Sequence, residues 1–259
     1  MVKVVYPSIL CDDTVRKLSA IGIEKMSDYV NEIEAAPDAV KLLFKDKLEM
    51  IIDRLYQNKI NDTIKRLRSR AKLSEPDAFT QSIVYDNNRN LSRYAVLELA
   101  TCGFMNYGTN VVIEGVTGSG KTCLASACAI AAMKNGYSVR FYRINDLIAL
   151  LDTKDQLQFQ RFKESMRKIR LLCIDDYGTV LLNDNVVNRI NEIVDCRYNS
   201  GATIITTQLK RDSLDLAIND NCPIKDALLD RLFNDNSRTI TLSGGSWRGS
   251  TKEIRGSNV

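Results

Sequence analysis

Hydrophobic residues recur at two different spacings in the two parts of this chain. In the first 72 residues they return every three or four positions, and Met26, Val30 and Ile33 form one such stripe. This spacing places apolar side chains on one face of a helix. The pattern therefore predicts a small helical domain over residues 1–72, in which the stripes form the core.

The third helix of this domain is predicted to begin at Pro37, because proline suits the first position of a helix. From there Val40, Leu43 and Phe44 continue the apolar stripe at helical spacing. We expect these side chains to join the core and the helix to run on into the basic segment 59–72.

Segment 59–72 carries six lysines and arginines against one aspartate, so its charge of +5 exceeds the +4 of the whole chain. A helix docked by its apolar side would present these cations outward, where they could contact DNA phosphates without reading sequence. A solvated charged face, or a contact with another protein, would give the same pattern. The predicted DNA-binding residues are Lys65, Arg66, Arg68, Arg70 and Lys72.

After residue 110, short apolar runs alternate with helical segments. The predicted strands are residues 110–114, 138–144, 171–175, 202–206 and 238–242. Short apolar strands that alternate with helices indicate an α/β fold with a parallel sheet covered on both faces. We therefore expect a linker over 73–90, a nucleotide-binding core over 91–248 and a flexible tail over 249–259.

One loop between a predicted strand and a predicted helix matches G-x-x-x-x-G-K-[ST], the phosphate-binding loop of P-loop NTPases. Its glycines let the backbone curl around an anion, and the start of the helix turns N–H groups toward phosphate. Lys121 can reach the β- and γ-phosphates of ATP, and the Thr122 hydroxyl can ligate Mg²⁺. The loop consists of Gly115, Val116, Thr117, Gly118, Ser119, Gly120, Lys121 and Thr122.

The strand at 171–175 ends in two aspartates about fifty residues after the loop. An apolar strand that ends in aspartate is typical of a Walker B element, whose carboxylate emerges beside Mg²⁺ at the edge of the sheet. We expect Asp175 to face the metal and Asp176 to orient or deprotonate the attacking water. An ordinary turn that caps a helix is the alternative for such a pair.

The strand at 202–206 is followed by further polar residues. In P-loop ATPases with an additional strand, a polar side chain at this edge lies between the two Walker strands and senses the γ-phosphate. Thr207 or Gln208 could have this role, and Thr206 is also within reach of the site. A polar strand end without a role in catalysis is the alternative.

Two arginines near the end of the chain are candidates for contacts with ATP. Arg231, late in a predicted helix, could project into the ATP of a neighbouring subunit and stabilise charge during phosphoryl transfer. The alternative is an intrahelical pair with Asp226 or Asp230. Arg248, beside the only tryptophan, is a candidate for a second nucleotide-sensing arginine.

The amino-acid composition excludes several kinds of catalytic and metal-binding site. No histidine occurs among the 259 residues, which excludes Ser-His-Asp and Cys-His nucleophile systems and histidine-based metal sites. The seven cysteines form no C-x-x-C pair, which disfavours a zinc site and suits a reducing compartment. Because no apolar run approaches the ~18 residues that span a bilayer, we expect a cytoplasmic protein without a membrane partner.

Several segments together resemble the IstB-like ATP-binding proteins, which are AAA+ helper ATPases of insertion-sequence transposition. The resemblance covers roughly residues 85–248. It implies a P-loop NTPase of the AAA+ type with a five-stranded parallel sheet and little or no C-terminal lid. The matching segments are Gly115–Thr122, Tyr137–Arg143, Leu171–Gly178, Ala202–Leu209, Ile224–Leu232 and Ser243–Arg248.

The same resemblance implies ATP-dependent assembly as a homo-oligomer on double-stranded DNA, and assistance to a cognate transposase. Many AAA+ enzymes carry glutamate where Asp176 stands, which implies slow hydrolysis here. A replicative helicase loader of the DnaC type is the first alternative. A P-loop small-molecule kinase and a non-hydrolysing, ATP-gated scaffold are the further alternatives. The implied roles are phosphate and Mg²⁺ contacts for Lys121 and Thr122, the metal for Asp175, the hydrolytic water for Asp176, the first sensor for Thr207 and the trans arginine for Arg231.

Overall fold

The structure is a computed structural model that describes residues 9–83, 85, 90–198, 200–234 and 237–244. The chain divides into two compact units, the first ending at Lys65 and the second beginning at Arg66. A single long helix runs from one unit into the other.

The first unit is helical, as its apolar stripes predict. It contains α1 (Asp12–Ala20), α2 (Lys25–Glu34) and most of α3 (Phe44–Ala71). Ile33 of α2 and Ile51 of α3 are among its buried residues.

The predicted start of the third helix at Pro37 is wrong, since α3 begins at Phe44. Leu42 has an extended backbone, which interrupts the helical pattern. The N–H of Leu43 then donates to the carboxylate of Asp46, as at the first turn of many helices.

The later start of α3 also corrects the expected core. The apolar stripe from Pro37 predicts one helical face, but its first members precede the helix or lie at its first residue. Val40 is 96% exposed, Leu43 71% and Phe44 80%. These three side chains therefore lie at the surface of the first unit.

The second unit contains a parallel sheet of five strands in the order β2-β3-β4-β1-β5. All five predicted strands are confirmed, with bounds that differ by at most two residues at either end. The strands are β1 (Val111–Gly115), β2 (Val139–Arg143), β3 (Leu171–Tyr177), β4 (Ala202–Thr207) and β5 (Arg238–Leu242). The helices are α4 (Arg93–Ala100), α5 (Lys121–Lys134), α6 (Ile144–Asp152), α7 (Gln156–Arg167), α8 (Asp184–Asp195) and α9 (Lys225–Phe233).

Alternation along the strands separates two hydrophobic cores. On β4, Ile204 packs with α4 and α5, whereas Ile205 packs with α6, α7, α8 and α9 on the other face. Neighbouring residues of a strand point to opposite faces, so each strand contributes to both cores. This arrangement matters for the site, because it decides which polar side chains at the strand ends face α5.

The last turns of α3 belong to the second unit and pack within it. Ala71 is fully buried in the core beneath α5. The ring of Phe79 lies between two cations, 5.6 Å from the Arg68 guanidinium and 5.2 Å from the Lys134 ammonium. Arg140 of β2 donates to the backbone oxygen of Arg70 at 2.8 Å. These contacts fix the end of the basic helix to the sheet.

Within the part of the chain that the structure describes, no helix is both long enough and apolar enough to cross a bilayer.

Candidate nucleotide-binding site

The glycine loop follows the central strand β1 and leads into α5, as the motif predicts. Gly120, just before the helix, has a φ of 91°, a left-handed conformation that side-chain-bearing residues rarely adopt. At Gly115 a Cβ would lie 2.5 Å from the backbone oxygen of Leu242. Glycine is therefore required at one position by conformation and at the other by the close approach of β5.

Lys121 and Thr122 occupy the first turn of α5. The Lys121 side chain is nearly buried, and its ammonium group donates to the backbone oxygens of Gly115 at 2.8 Å and Val116 at 3.0 Å. The hydroxyl of Thr122 lies 3.0 and 3.1 Å from the two carboxylate oxygens of Asp175. The sheet thus brings together residues of the two motifs that are 53 positions apart.

Asp175 is a buried carboxylate held by hydroxyl groups. Its residue is 1% exposed, and the hydroxyl of Thr206 donates to it at 2.5 Å. Burial raises the pKa of Asp175 above its ordinary value, although the hydrogen bonds from Thr206 and Thr122 lower it in part. A buried carboxylate with hydroxyl oxygens beside it suits a hard divalent cation, which prefers oxygen ligands.

Asp176 follows in an unusual backbone conformation. Its φ is 61°, in the left-handed region that aspartate tolerates better than most residues. The pairing of β3 with β4 is irregular between Ile174 and Tyr177, so the strand bulges at the two aspartates. The N–H of Asp176 donates to the Thr206 hydroxyl at 3.0 Å, and its side chain is half-buried. The bulge lets two consecutive carboxylates lie at the same edge of the sheet.

The end of β4 corrects the expectation for Thr207. Its hydroxyl donates to the backbone oxygen of Tyr177 at 2.8 Å and accepts from the N–H of Leu209, so it is fully engaged in the fold. Thr206 contacts Asp175 instead. Alternation gives the reason: Thr206 lies on the same face as Ile204, toward α5, and Thr207 lies on the opposite face.

Gln208 reaches the glycine loop from the same strand end. Its side-chain oxygen accepts a hydrogen bond from the hydroxyl of Thr117 at 2.8 Å. The structure therefore places two of the three candidate sensing residues, Thr206 and Gln208, in contact with motif residues.

Arg231 lies on α9 and contacts α8 of the same chain. Its guanidinium group bonds to the carboxylate of Asp195 at 2.9 to 3.0 Å and to the side-chain oxygen of Asn191 at 3.0 Å. Neither Asp226 nor Asp230 is its partner among the described contacts, so the alternative of an intrahelical ion pair is wrong. None of its described contacts is with the glycine loop.

The remaining candidate residues fall into two groups. Arg248 lies outside the described residues. Of the basic residues, Arg68 is half-buried and bonds to the backbone oxygen of Pro76. The four that are exposed and form no ion pair with a described residue are Lys65, Arg66, Arg70 and Lys72.

One residue near the site was missed by sequence reasoning. Arg143 ends β2, its Cα is paired with that of Asp175, and its charge lowers the pKa of that carboxyl. The available signal was a charged residue at the carboxyl end of a predicted strand, where ligands of open α/β sheets bind.

The residues present fit a nucleoside triphosphate with Mg²⁺. The start of α5 offers N–H groups and a positive helix end, and Lys121 adds an ammonium group. The hydroxyl of Thr122 and the carboxylate of Asp175 are oxygen donors of the kind that Mg²⁺ prefers. Among the described residues, no group of three or more His, Cys, Asp or Glu side chains forms a separate metal site.

The sheet order, the glycine loop after β1 and the acidic end of β3 define a P-loop protein of the AAA+ type. The crystal structure of DnaI has the same fold, with a TM-score of 0.56 and 16% identity; the alignment covers 71% of this chain and 100% of that one.

The amino-acid sequence shows the family to which the chain belongs. The model of the family described as "IstB-like ATP binding protein" matches residues 16–254, so the chain belongs to that family. It is 28% identical over 241 residues to the "Putative insertion sequence ATP-binding protein y4pL" of Sinorhizobium fredii, covering 93% of this chain and 97% of the relative. It is 27% identical over 202 residues to the "Insertion sequence IS1162 putative ATP-binding protein" of Pseudomonas fluorescens, covering 78% and 87%.

Proposed function

We propose that this chain hydrolyses ATP as a homo-oligomer on double-stranded DNA and that it assists the transposase of an insertion sequence. Membership of an ATP-binding family whose relatives are named for insertion sequences supports the general role. The observation that carries the proposal of hydrolysis is the contact between the Thr122 hydroxyl and the buried Asp175 carboxylate beside the glycine loop.

Each residue of the site has a proposed task. Lys121 and the loop N–H groups bind the triphosphate, and Thr122 with Asp175 would hold Mg²⁺. When bound there, Mg²⁺ would neutralise charge on the β- and γ-phosphate oxygens. Asp176 orients the attacking water and accepts its proton. Because aspartate is one methylene shorter than the more usual glutamate, we expect slow turnover.

Completion of the site by a second subunit is also proposed. Arg231 lies on α9, and its guanidinium group contacts α8, whereas none of its contacts with the described residues is with the glycine loop of its own chain. A phosphate-binding arginine supplied by a neighbour would stabilise the transition state and make hydrolysis depend on assembly. This is the reason for proposing that the active species is an oligomer.

DNA contact is assigned to the exposed cations at the end of α3. Lys65, Arg66, Arg70 and Lys72 are free of ion pairs with described residues, whereas Arg68 is half-buried against its own chain. Cations of this kind bind phosphates with little regard to sequence and release counterions when they do so. We therefore propose a salt-sensitive, weakly specific interaction with duplex DNA.

ATPase activity and nucleotide binding, measured with and without duplex DNA, test the proposal. Lys121→Ala should abolish ATP binding, and Asp176→Asn should retain binding while hydrolysis falls by about tenfold or more. Asp184→Asn, which neutralises an exposed carboxylate at the start of α8, is the control and should match the wild type. Wild-type protein that binds no ATP, or hydrolyses it at the rate of Asp176→Asn, would refute hydrolysis at this site.

The partner is tested separately by co-purification with a tagged transposase from the same insertion sequence. ATP-dependent retention of the transposase is the expected result. Retention of a ring-shaped replicative helicase and not of the transposase would replace the proposed partner, while leaving the ATPase assignment intact.

A further inference from the structure

The guanidinium group of Arg231 is almost fully engaged within its own chain. Its Nε–H donates to Asp195 at 3.0 Å, and a terminal nitrogen lies 2.9 Å from the same carboxylate oxygen. The other terminal nitrogen donates to Asn191 at 3.0 Å and to the backbone oxygen of Ala227 at 3.2 Å. The three hydrogen bonds use the Nε–H and both N–H groups of one terminal nitrogen, so the N–H groups left for another acceptor are on the terminal nitrogen that lies against Asp195.

Asp195 and Asn191 are placed for this contact by the geometry of α8. They are four residues apart, so their side chains lie on the same face of the helix, toward α9. The carboxylate of Asp195 and the amide of Asn191 thus both accept hydrogen bonds from the same guanidinium group.

Recognition of a phosphate by arginine is strongest when two parallel N–H groups donate to it. Each parallel pair of N–H groups includes the Nε–H or the terminal nitrogen bound to Asn191, and both are already used, so Arg231 cannot bind a phosphate in this way while it holds Asp195 and Asn191. The carboxylate and a phosphate are both anions, so they compete for the same cation. A neighbouring copy's ATP must therefore displace Asp195 before Arg231 can act on it.

We propose that Asp195, supported by Asn191, is a positioning residue that restrains Arg231 in the unassembled chain. Assembly exchanges the Asp195 carboxylate for a phosphate of the ATP bound by the neighbouring copy. The inference rests on the proposed function, in which Arg231 acts in trans. Its consequence is that isolated chains hydrolyse ATP slowly and that the chain carries its own barrier to premature activity.

The size of the restraint follows from its exposure. The Arg231 side chain is 30% exposed and that of Asp195 is 59% exposed. Ion pairs exposed to this degree shift an equilibrium by about 1.4- to 5-fold. Such a contact is weak enough to be exchanged on assembly and strong enough to be measured.

The experiment compares Asp195→Asn with Glu192→Gln in the full chain. Glu192 is on the same helix and pairs with Lys163 at 2.7 Å, so its substitution also removes one ion pair from α8. DNA-stimulated ATPase activity is measured against protein concentration on a random-sequence duplex. Asp195→Asn should lower the concentration for half-maximal activity by about 1.4- to 5-fold, and Glu192→Gln should leave it unchanged. Asn191→Ala should shift it in the same direction by a smaller factor.

Ionic strength separates a restraint from a general effect on folding. Because exposed ion pairs are screened by salt, the difference between Asp195→Asn and wild type should shrink as salt rises. A change that only loosened the fold would not follow this trend. An unchanged or higher concentration for half-maximal activity in Asp195→Asn would overturn the inference.

Arg231→Ala distinguishes this inference from the proposed function. If Arg231→Ala retains wild-type activity at every concentration, the trans role and the restraint both fail. If Arg231→Ala is inactive and Asp195→Asn behaves as wild type, only the restraint fails. Hydrogen exchange at the Arg231 Nε–H, measured by NMR without ATP, tests the contact itself: equal rates in wild type and Asp195→Asn would also overturn it.

Discussion

The hydroxyl of Thr206 supports both aspartates at the end of β3, so its removal is the sharpest test of the site's architecture. It donates to the Asp175 carboxylate at 2.5 Å and accepts from the N–H of Asp176 at 3.0 Å. Thr206→Val keeps the branched shape of the side chain and removes both hydrogen bonds. Thr203→Val is the matched control, since Thr203 is also buried on β4 and its hydroxyl has no described partner.

The expected magnitude follows from the two lost contacts. A hydrogen bond to a charged group contributes about 1.5–3 kcal/mol, and a buried donor left without an acceptor costs about 1–3 kcal/mol. Asp176 is half-buried, so water replaces part of the second contact. We expect Thr206→Val to lower the free energy of unfolding by about 2–4 kcal/mol and Thr203→Val to change it by less than about 1 kcal/mol.

The loss should also depend on pH. In the metal-free folded protein, burial raises the pKa of Asp175, so ionisation of this carboxyl group opposes folding. The protonated group contributes stability at pH values below its ordinary pKa. That stability is lost as the pH rises through the raised pKa. Without the Thr206 hydrogen bond the pKa rises further, and ionisation opposes folding more strongly. The deficit of Thr206→Val should therefore be largest at pH 7 and shrink as the pH falls toward 4.

Urea unfolding followed by circular dichroism measures these differences, provided that the dependence on urea is equal for all variants. A deficit for Thr206→Val no larger than that of Thr203→Val would refute the assignment of both hydrogen bonds. A large deficit that does not change between pH 7 and pH 4 would refute the part of the argument that rests on the carboxylate.

Three further predictions concern other parts of the chain. Gly115→Ala places a Cβ 2.5 Å from a backbone oxygen of β5. Calorimetry should therefore show weaker ATP binding, and thermal unfolding should show that the variant loses about 1–3 kcal/mol of stability. Wild-type behaviour in both measurements would contradict the close approach. Arg66→Ala should reduce the slope of log affinity for DNA against log salt by about one, whereas Arg68→Ala should lower stability and leave the slope unchanged. Iodoacetamide should label Cys11 before Cys128. Hydrogen bonds from Thr14 lower the pKa of Cys11, whereas burial raises the pKa of Cys128 to about 12. The reverse order of labelling in peptide mass spectra would contradict both pKa assignments.

The features that sequence could predict are those fixed by neighbouring residues. The alternation of apolar runs and helices located all five strands, and the glycine loop located the start of α5 at Lys121. The alternation along β4 also indicates that Thr206, not Thr207, faces α5.

The features that could not be predicted depend on contacts between distant residues. Arg68 reads as one of several equal cations, and only the fold brings Phe79 and Pro76 to its side. The partner of Arg231 is 36 residues away, on another helix. Local spacing carries no information about pairs of this kind, because they are set by how helices pack on the sheet.

The end of β3 is packed against the helix that carries Arg231. The Tyr177 ring, almost fully buried, meets the Phe233 ring of α9 edge to face at 5.4 Å, and the Thr207 hydroxyl holds the Tyr177 backbone oxygen. Arg211 donates to the backbone oxygen of Phe233 at 2.6 Å, which fixes the end of α9 from the β4 side. Close-packed interiors transmit displacement and do not absorb it. The packing therefore links the end of β3 to the end of α9, the helix that carries the arginine for which we propose a role in trans.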